Sequence, residues 1–350
     1  MMKEKKKQLY ICERPYPTYR TIIKVAKFNL KADIVLSNHV DGMEKMLKPL
    51  SQSKLFENIF FYDDIPYKKY EETICSGMDF MRKMHGSLKK LKAYFHLVGD
   101  AQNVNIEKII NINEYDEIFV NDATSTLCMC LFHNKKKVTW VEHAKDTYKA
   151  KLSKSFDIAF RLLSLMELLG ITFALHGFSR YVDKIEINSN GTLYCVPKNK
   201  EIVAWNIDEA IKGLSAEKRK KVYSIYEEAY NINIQQNEEY DLLLTTPLFL
   251  DGFVGSIQEQ IHIFENIIKK YNEQGRCLII KPHPRDDYDY SKEFKDAILV
   301  DRSVSSEILT LNKNLSLTNV VSFYSSSSDL FGDISKELIQ IGEKDLKQYL

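Results

Sequence analysis

Short apolar runs separated by helix-length polar segments fill the first half of the chain, and that alternation restricts the fold more than any other feature. Gln8–Glu13, Ala32–Ser37 and Ile59–Asp64 read as strands, with Tyr19–Phe28, Gly42–Pro49 and Tyr70–Leu91 as the helices around them. Runs centred on Tyr94, Phe119 and Thr139 read as further strands. A helical connection returns the chain to the edge it left, so neighbouring strands run parallel. The pattern restarts at Tyr240–Pro247. Ser256-x-x-Glu259 then opens a helix as a capping box, with Ile257, Ile261, Phe264 and Ile268 on one face and Gly275 closing it. A strand into Lys281 follows, and Ala297–Asp301, Ser305–Leu311 and Asn319–Tyr324 continue as strand, helix and strand. The middle, Lys151–Asn237, is less regular, with a hairpin over Asp183–Pro197 turning at Asn190-Gly191 and a helical stretch over Ile207–Tyr230. At 350 residues the chain exceeds a single core. The expectation is an α/β protein of two Rossmann-like domains facing across a cleft, 1–155 and 237–350, joined by a linker region at 156–236.

Composition excludes several classes of function. A net charge of +1 gives no global attraction to nucleic acid. Basic character is local, in the opening segment, at Lys135–Lys137 and at Glu217–Lys221, and such clusters suit peripheral contact with an anionic membrane surface. The six cysteines are scattered, and Cys128-Met-Cys130 lacks a second pair at zinc spacing, so reduced thiols in a cytosolic protein are expected. The opening residues lack the apolar core of a signal peptide. Ala159–Leu175 carries Arg161 and Glu167 and falls short of the ~20 apolar residues of a membrane span. It reads as a buried helix followed by a strand. Neither GxGxxG nor GxxxxGK[ST] occurs, which weakens dehydrogenase and ATPase readings.

The segment Arg276–Tyr290 carries the strongest chemical signal. Its apolar run ends in Lys281-Pro282-His283-Pro284-Arg285. Both prolines fix φ and withhold a donor, so the strand stops there. Lys281 and His283 each precede a proline and are held extended. The result is a stiff mount for one imidazole between two cations, at the strand edge where open α/β sheets bind ligands, and it suits a nucleotide phosphate. Ser325, Ser326, Ser327 and Ser328 follow a β-run and precede a helix at Asp329-Leu330, a second place suited to an anion. Glu142 ends a strand with His143, Asp146 and Tyr148 behind it, placed to accept a hydroxyl proton. Asn121-Asp122 ends the preceding strand and suits binding of acceptor hydroxyls. Asp251-Gly252 offers a second candidate base. Asp287-x-Asp289 has the form of a metal-binding pair but trails a proline-ended strand, so no metal is expected.

The stretches LLLTTP, IIKPHPRDDYDYS and FYSSSS together resemble glycosyltransferase family 52, the bacterial sialyltransferases and related capsule or lipooligosaccharide enzymes. The resemblance is best over Tyr240–Phe331 and collinear over Gln8–Tyr148. It implies the two-domain glycosyltransferase architecture known as GT-B, with the first domain on the acceptor side and the last binding the nucleotide sugar. It also implies an inverting, metal-independent transfer of sialic acid from CMP-sialic acid to a sugar hydroxyl of a bacterial surface glycan, without a cofactor. On that basis His283 stabilises the departing phosphate, and Glu142 or Asp251 is the base. Lys281, Pro284, Arg285, Thr246 and Ser325–Ser327 surround the donor nucleotide, while Asn121, Asp122 and Tyr148 bind the acceptor. Sialyltransferases pair the His-Pro motif with an acidic-acidic-Gly motif; here His143 and Ala144 replace its second acid and its glycine. That departure keeps a UDP-hexose donor open, and also an inactive nucleotide-binding scaffold. The resemblance further implies an oligosaccharide or glycolipid acceptor and a homodimer, while the scattered thiols and basic clusters fit a cytoplasmic protein peripheral to the inner membrane face.

Overall fold

The structure, a computed structural model, describes residues 6–75, 88–142, 162–174, 177–188, 197, 199–235, 238–272, 276–323 and 326–350. The chain divides into two compact units, Met1–Ser215 and Ala216–Leu350.

In the first unit β1 (Gln8–Cys12), β2 (Ala32–Ser37), β3 (Ile59–Tyr62), β4 (Glu117–Val120), β5 (Val138–Val141), β6 (Val182–Ile187) and β7 (Glu201–Ala204) form one sheet in the order β3-β2-β1-β4-β5-β6-β7. Every neighbouring pair is parallel. Its helices are α1 (Pro15–Phe28), α2 (Leu47–Ser53), α3 (Ile65–Cys75), α4 (Leu88–Gln102), α5 (Thr126–His133) and α6 (Ile207–Lys212). Pro15 occupies the first turn of α1, where its fixed φ is helical and its missing N–H is not needed. Buried side chains along β2 are continuous, as expected for a parallel strand covered on both faces.

The second unit comprises α7 (Ala216–Tyr230), β8 (Glu239–Leu244), α8 (Ile257–Tyr271), β9 (Cys277–Lys281), β10 (Ile298–Leu299), β11 (Ser316–Phe323) and β12 (Ser335–Ile341). Its parallel sheet has the order β10-β9-β8-β11-β12. Ser256 caps α8 by accepting from the Glu259 N–H at 3.1 Å, while the Glu259 carboxylate reaches back to Gly255 N at 2.8 Å. Leu243, Ile263, Phe264, Ile267, Ile280, Val321 and Phe323 fill the space between α8 and the sheet.

Both units are therefore Rossmann-like parallel α/β layers, as expected. In each, the chain starts mid-sheet, builds outward on one side and then crosses to the other. The reversal falls between β1 and β4 in the first unit and between β8 and β11 in the second. Connections leave such neighbouring strand ends in opposite directions, opening a crevice at their carboxyl ends.

Three expectations change. The run around Tyr94 is helical, part of α4: Ala93, Leu97, Val98 and Ala101 are buried at helical spacing. Of the long helix expected over Tyr70–Leu91, the described ends are helical, within α3 and α4, and 76–87 lie outside the described residues. The two strands in the expected linker, β6 and β7, extend the first unit's sheet in parallel; Asn190-Gly191 lies outside the described residues. The helical turn at 162–168 shows Leu162, Leu165 and Leu168 at 53–65% exposure, whereas Glu167 is buried. Glu167 turns inward because its carboxylate accepts from the Ser179 hydroxyl at 2.6 Å and the Arg180 N–H at 2.8 Å. No helix among the described residues is long and apolar enough to cross a membrane.

Candidate active site

His283 stands just past the carboxyl end of β9, beside the crevice of the second unit. Its backbone is held from two sides. The His283 N–H donates to Thr245 Oγ1 at 3.1 Å, and its carbonyl accepts from the Asp286 N–H at 2.8 Å. Thr245 follows β8 and donates its hydroxyl to Asp286 Oδ2 at 3.3 Å. That buried carboxylate also accepts from Tyr290 Oη at 2.6 Å and Gln260 Nε2 at 3.3 Å. A buried polar network with its partners in place is rigid, so the imidazole is mounted on a fixed frame.

The ring itself is half-buried, and Nδ1 accepts from the Arg285 backbone N–H at 3.1 Å. A backbone N–H can only donate, so the neutral ring carries its proton on Nε2. Burial, helped by the Arg285 and Lys281 charges and opposed by Asp251, lowers its pKa to about 4. At neutral pH His283 is thus a neutral Nε2–H donor rather than an imidazolium.

The other expected donor-side residues divide. Lys281 is buried, not displayed: its ammonium donates to the carbonyls of Pro282 and Arg302. Burial pushes its pKa down to about 8 against the pull of Asp301, Glu307 and Asp286. Pro284 and Arg285 are exposed. The Arg285 fork grips both oxygens of Asp251, at 2.8 and 2.9 Å. Asp251 lies on a tight turn after β8, where its N–H donates to the Pro247 carbonyl and Gly252 takes φ +77°, a value that suits glycine. Thr246 donates to the Phe323 carbonyl at 3.3 Å, tying the ends of β8 and β11 together across the crevice. Ser326 and Ser327 open a short 3-10 helix, Ser326–Phe331, and Ser325 lies outside the described residues. Beside this region an open pocket of about 310 Å³ is lined by Tyr230, Pro282, Asp286–Tyr290, Leu299, Val300, Asp301 and Arg302.

In the first unit the structure separates the expected residues. Glu142 is buried at the end of β5, accepting from Arg20 Nη1 at 3.0 Å and the Asn188 N–H at 2.7 Å. Arg20, from α1, also pairs with Glu186 and lies over the Trp205 ring, so Glu142 belongs to an internal ion network. That corrects its placement at an open strand edge: the guanidinium under the sheet end draws the carboxylate inward. Asn121 is buried and donates to the Ile11 carbonyl at 2.6 Å. Tyr148, with His143 and Asp146, lies outside the described residues.

Asp122 enters a cluster that the sequence reading did not assemble. Glu13 and Arg14 follow β1, His39 follows β2, Asp64 follows β3 and Asp122 follows β4. Asp122 accepts from Arg14 Nε and, at 2.6 Å, from the Thr124 hydroxyl. His39 is buried and stacked on Tyr67, with Nε2 3.4 Å from Asp122 and Nδ1 3.8 Å from Asp64. Burial opposes its charge, but Asp122 and Asp64 outweigh it and raise its pKa to about 9. Glu13 is fully buried, and neither carboxyl oxygen has a hydrogen-bond partner among the described residues. Burial pushes its pKa up to about 8, with His39 opposing and Asp64 adding. Among the described residues no group of acids, histidines or cysteines is arranged to hold a metal ion.

The residues missed were Thr245, Gln260, Asp286 and Tyr290 in one unit and Glu13, Arg14, His39 and Asp64 in the other. The available signal is position: Glu13 and Asp64 are the last residues of their apolar runs, and Thr245 is among the last polar residues of its own.

Residues 53–330 match the family described as Glycosyltransferase family 52. A protein of Haemophilus influenzae described only as uncharacterized is 32% identical over 87 residues, a stretch that spans 25% of this chain and 27% of that protein. Among solved structures, the α/β-galactoside α-2,3-sialyltransferase of Photobacterium phosphoreum is 12% identical with a TM-score of 0.43, covering 96% of this chain and 91% of its own. A putative UDP-N-acetylglucosamine 2-epimerase from Listeria monocytogenes is 13% identical with a TM-score of 0.49, covering 99% of this chain and 87% of its own.

Proposed function

The chain belongs to glycosyltransferase family 52, and we propose that it is an inverting, metal-independent sialyltransferase that uses CMP-sialic acid. The observation that carries this reading is the His283 mount. A neutral Nε2–H donor on a rigid turn, beside the sheet's crevice, is the group a departing phosphate needs. CMP leaves with one phosphate next to the breaking bond, so a single fixed donor and the nearby Arg285 fork can replace a divalent ion. Burial of Lys281 leaves less exposed cationic charge here than a diphosphate would call for, which favours CMP over UDP. The acidic pocket beside the mount supports the same choice. Carboxylates accept from the exocyclic amine of cytosine, while the matching position of uracil is itself an acceptor.

Asp251 then takes the proton of the acceptor hydroxyl, because Glu142 is committed to Arg20. The first unit binds the acceptor, a sugar of a surface glycan such as capsule or lipooligosaccharide. Lys and Arg clusters hold the protein at the inner membrane face. Purified protein incubated separately with CMP-sialic acid and with UDP-hexoses tests the reading. Release of CMP is expected; consumption of a UDP-hexose alone overturns it.

A further inference from the structure

Asp251 can act as a base only when its oxygens are available, yet both are gripped by Arg285 at 2.8 and 2.9 Å. Both partners reach solvent, with side-chain exposures of 25% for Asp251 and 45% for Arg285. Solvent screens an ion pair that is this open, so a partner carrying more charge can compete for the guanidinium. A phosphate is such a partner, because it accepts the same two-pronged grip and carries more charge. Arg285 is also joined to the leaving-group residue, since its own N–H holds His283 Nδ1.

We propose that Arg285 is a latch opened by the donor: it covers Asp251 in the unliganded protein and swings to the donor phosphate when the nucleotide binds, uncovering Asp251 for the acceptor. The inference rests on the sialyltransferase reading and adds an order of events to it. The donor binds first, because only its phosphate draws the guanidinium away. Asp251 then removes the proton from the acceptor hydroxyl as that oxygen bonds to the anomeric carbon. The bond from that carbon to the phosphate oxygen breaks, and its electron pair leaves with CMP under the Nε2–H of His283 and the relocated guanidinium. Protonated Asp251 loses its proton to water when the products leave, and the latch closes again.

A crystal structure of the wild-type protein with CMP tests the movement. The expected result places the Arg285 guanidinium on the CMP phosphate and leaves both Asp251 oxygens without it. An Arg285–Asp251 pair still closed beside bound CMP overturns the latch while leaving the donor reading intact. CMP that does not bind at all sinks the donor reading itself, and the latch with it. Kinetics give a second readout, measured as CMP release from CMP-sialic acid. Arg285→Lys keeps the charge but loses the fork, so the KM for CMP-sialic acid should rise by about tenfold, one charge-assisted hydrogen bond's worth. Unchanged KM and kcat in Arg285→Lys also overturn the proposal. The two residues are surface-exposed, so this variant should fold as the wild type does.

Discussion

Replacing His283 separates its two candidate roles, an acid charged at neutral pH and a neutral hydrogen-bond donor. With a pKa lowered to about 4, its imidazolium fraction at neutral pH is on the order of 10⁻³. If the charged ring were the acting species in the free enzyme, kcat/KM would drop tenfold for each pH unit above that value. The geometry leads elsewhere. Nδ1 is occupied by the Arg285 N–H, so Nε2–H is available as a donor throughout the neutral range. His283 should therefore impose no slope on log kcat/KM between roughly pH 5 and 8. A fixed donor aimed at developing negative charge is worth ~10²–10³ in rate, or ~2.7–4 kcal/mol. His283→Ala should lose about that much. His283→Gln, whose amide N–H can reach near the Nε2 position, should recover part of the loss.

The assay is CMP release from CMP-sialic acid across pH, with wild type and both variants at matched folded fraction. Two results refute the reasoning: His283→Ala within roughly threefold of wild type, or a wild-type profile falling tenfold per unit through neutrality. Stability gives an independent check. Because the folded pKa of His283 lies below its ordinary 6.5, the folded state holds fewer protons than the unfolded state between the two values. The contribution is present above 6.5 and is lost as pH falls towards about 4. His283→Gln should remove that part of the acid-side slope in urea unfolding.

Further outcomes follow from neighbouring groups. Thr245→Val keeps the shape but strands the His283 N–H and removes a donor from Asp286, so urea unfolding should show a loss of ~1–3 kcal/mol together with slower CMP release. Arg20→Met leaves Glu142 and Glu186 without their buried guanidinium and should cost ~3–5 kcal/mol in the same assay. Glu142→Gln should lower stability but leave CMP release by the folded protein near wild type; a loss of rate without loss of stability would restore Glu142 as a base. Glu13, with a folded pKa of about 8, holds a proton that the unfolded chain releases near 4.5, so its contribution weakens as pH rises between those values. Glu13→Gln should flatten that part of the stability profile, at ~1.4 kcal/mol for each pH unit removed. The contribution of His39, complete below 6.5 and lost as pH rises through about 9, should remain.

Much of the second unit was legible in the sequence because its signals are local. The prolines around His283 stop β9 at Lys281, just before the imidazole, and the Ser256–Glu259 cap marks the start of α8. Lys281 was misread for a reason that is also local. An alternating strand decides which face each side chain takes, and Lys281 falls on the face covered by the Arg302 loop. Glu142 was misread for a distant reason: its partner Arg20 comes from α1, and nothing near Glu142 in the chain announces it. The Tyr94 run shows the limit of apolar patterning, since short apolar stretches suit a strand or a buried helix equally until the flanking Lys-rich turn is counted into the period.

The cluster at Glu13, His39, Asp64 and Asp122 was invisible for a more general reason. Each residue is unremarkable in its own segment, an acid or imidazole one or two places after a strand. Only the strand order, with β1 placed between β2 and β4, brings four loop starts to one edge. Burying three carboxyls there is costly, and two cations, His39 and Arg14, offset only part of it, which is why Glu13 keeps its proton. A fold selected for stability alone would fill this edge with apolar side chains. The same topological rule sets the surroundings of His283 in the second unit, where Thr245 and Thr246 follow β8 and the crevice opens toward β11. The sequence motif and the hidden cluster are thus one phenomenon, seen once through proline-marked local geometry and once only through the order of strands.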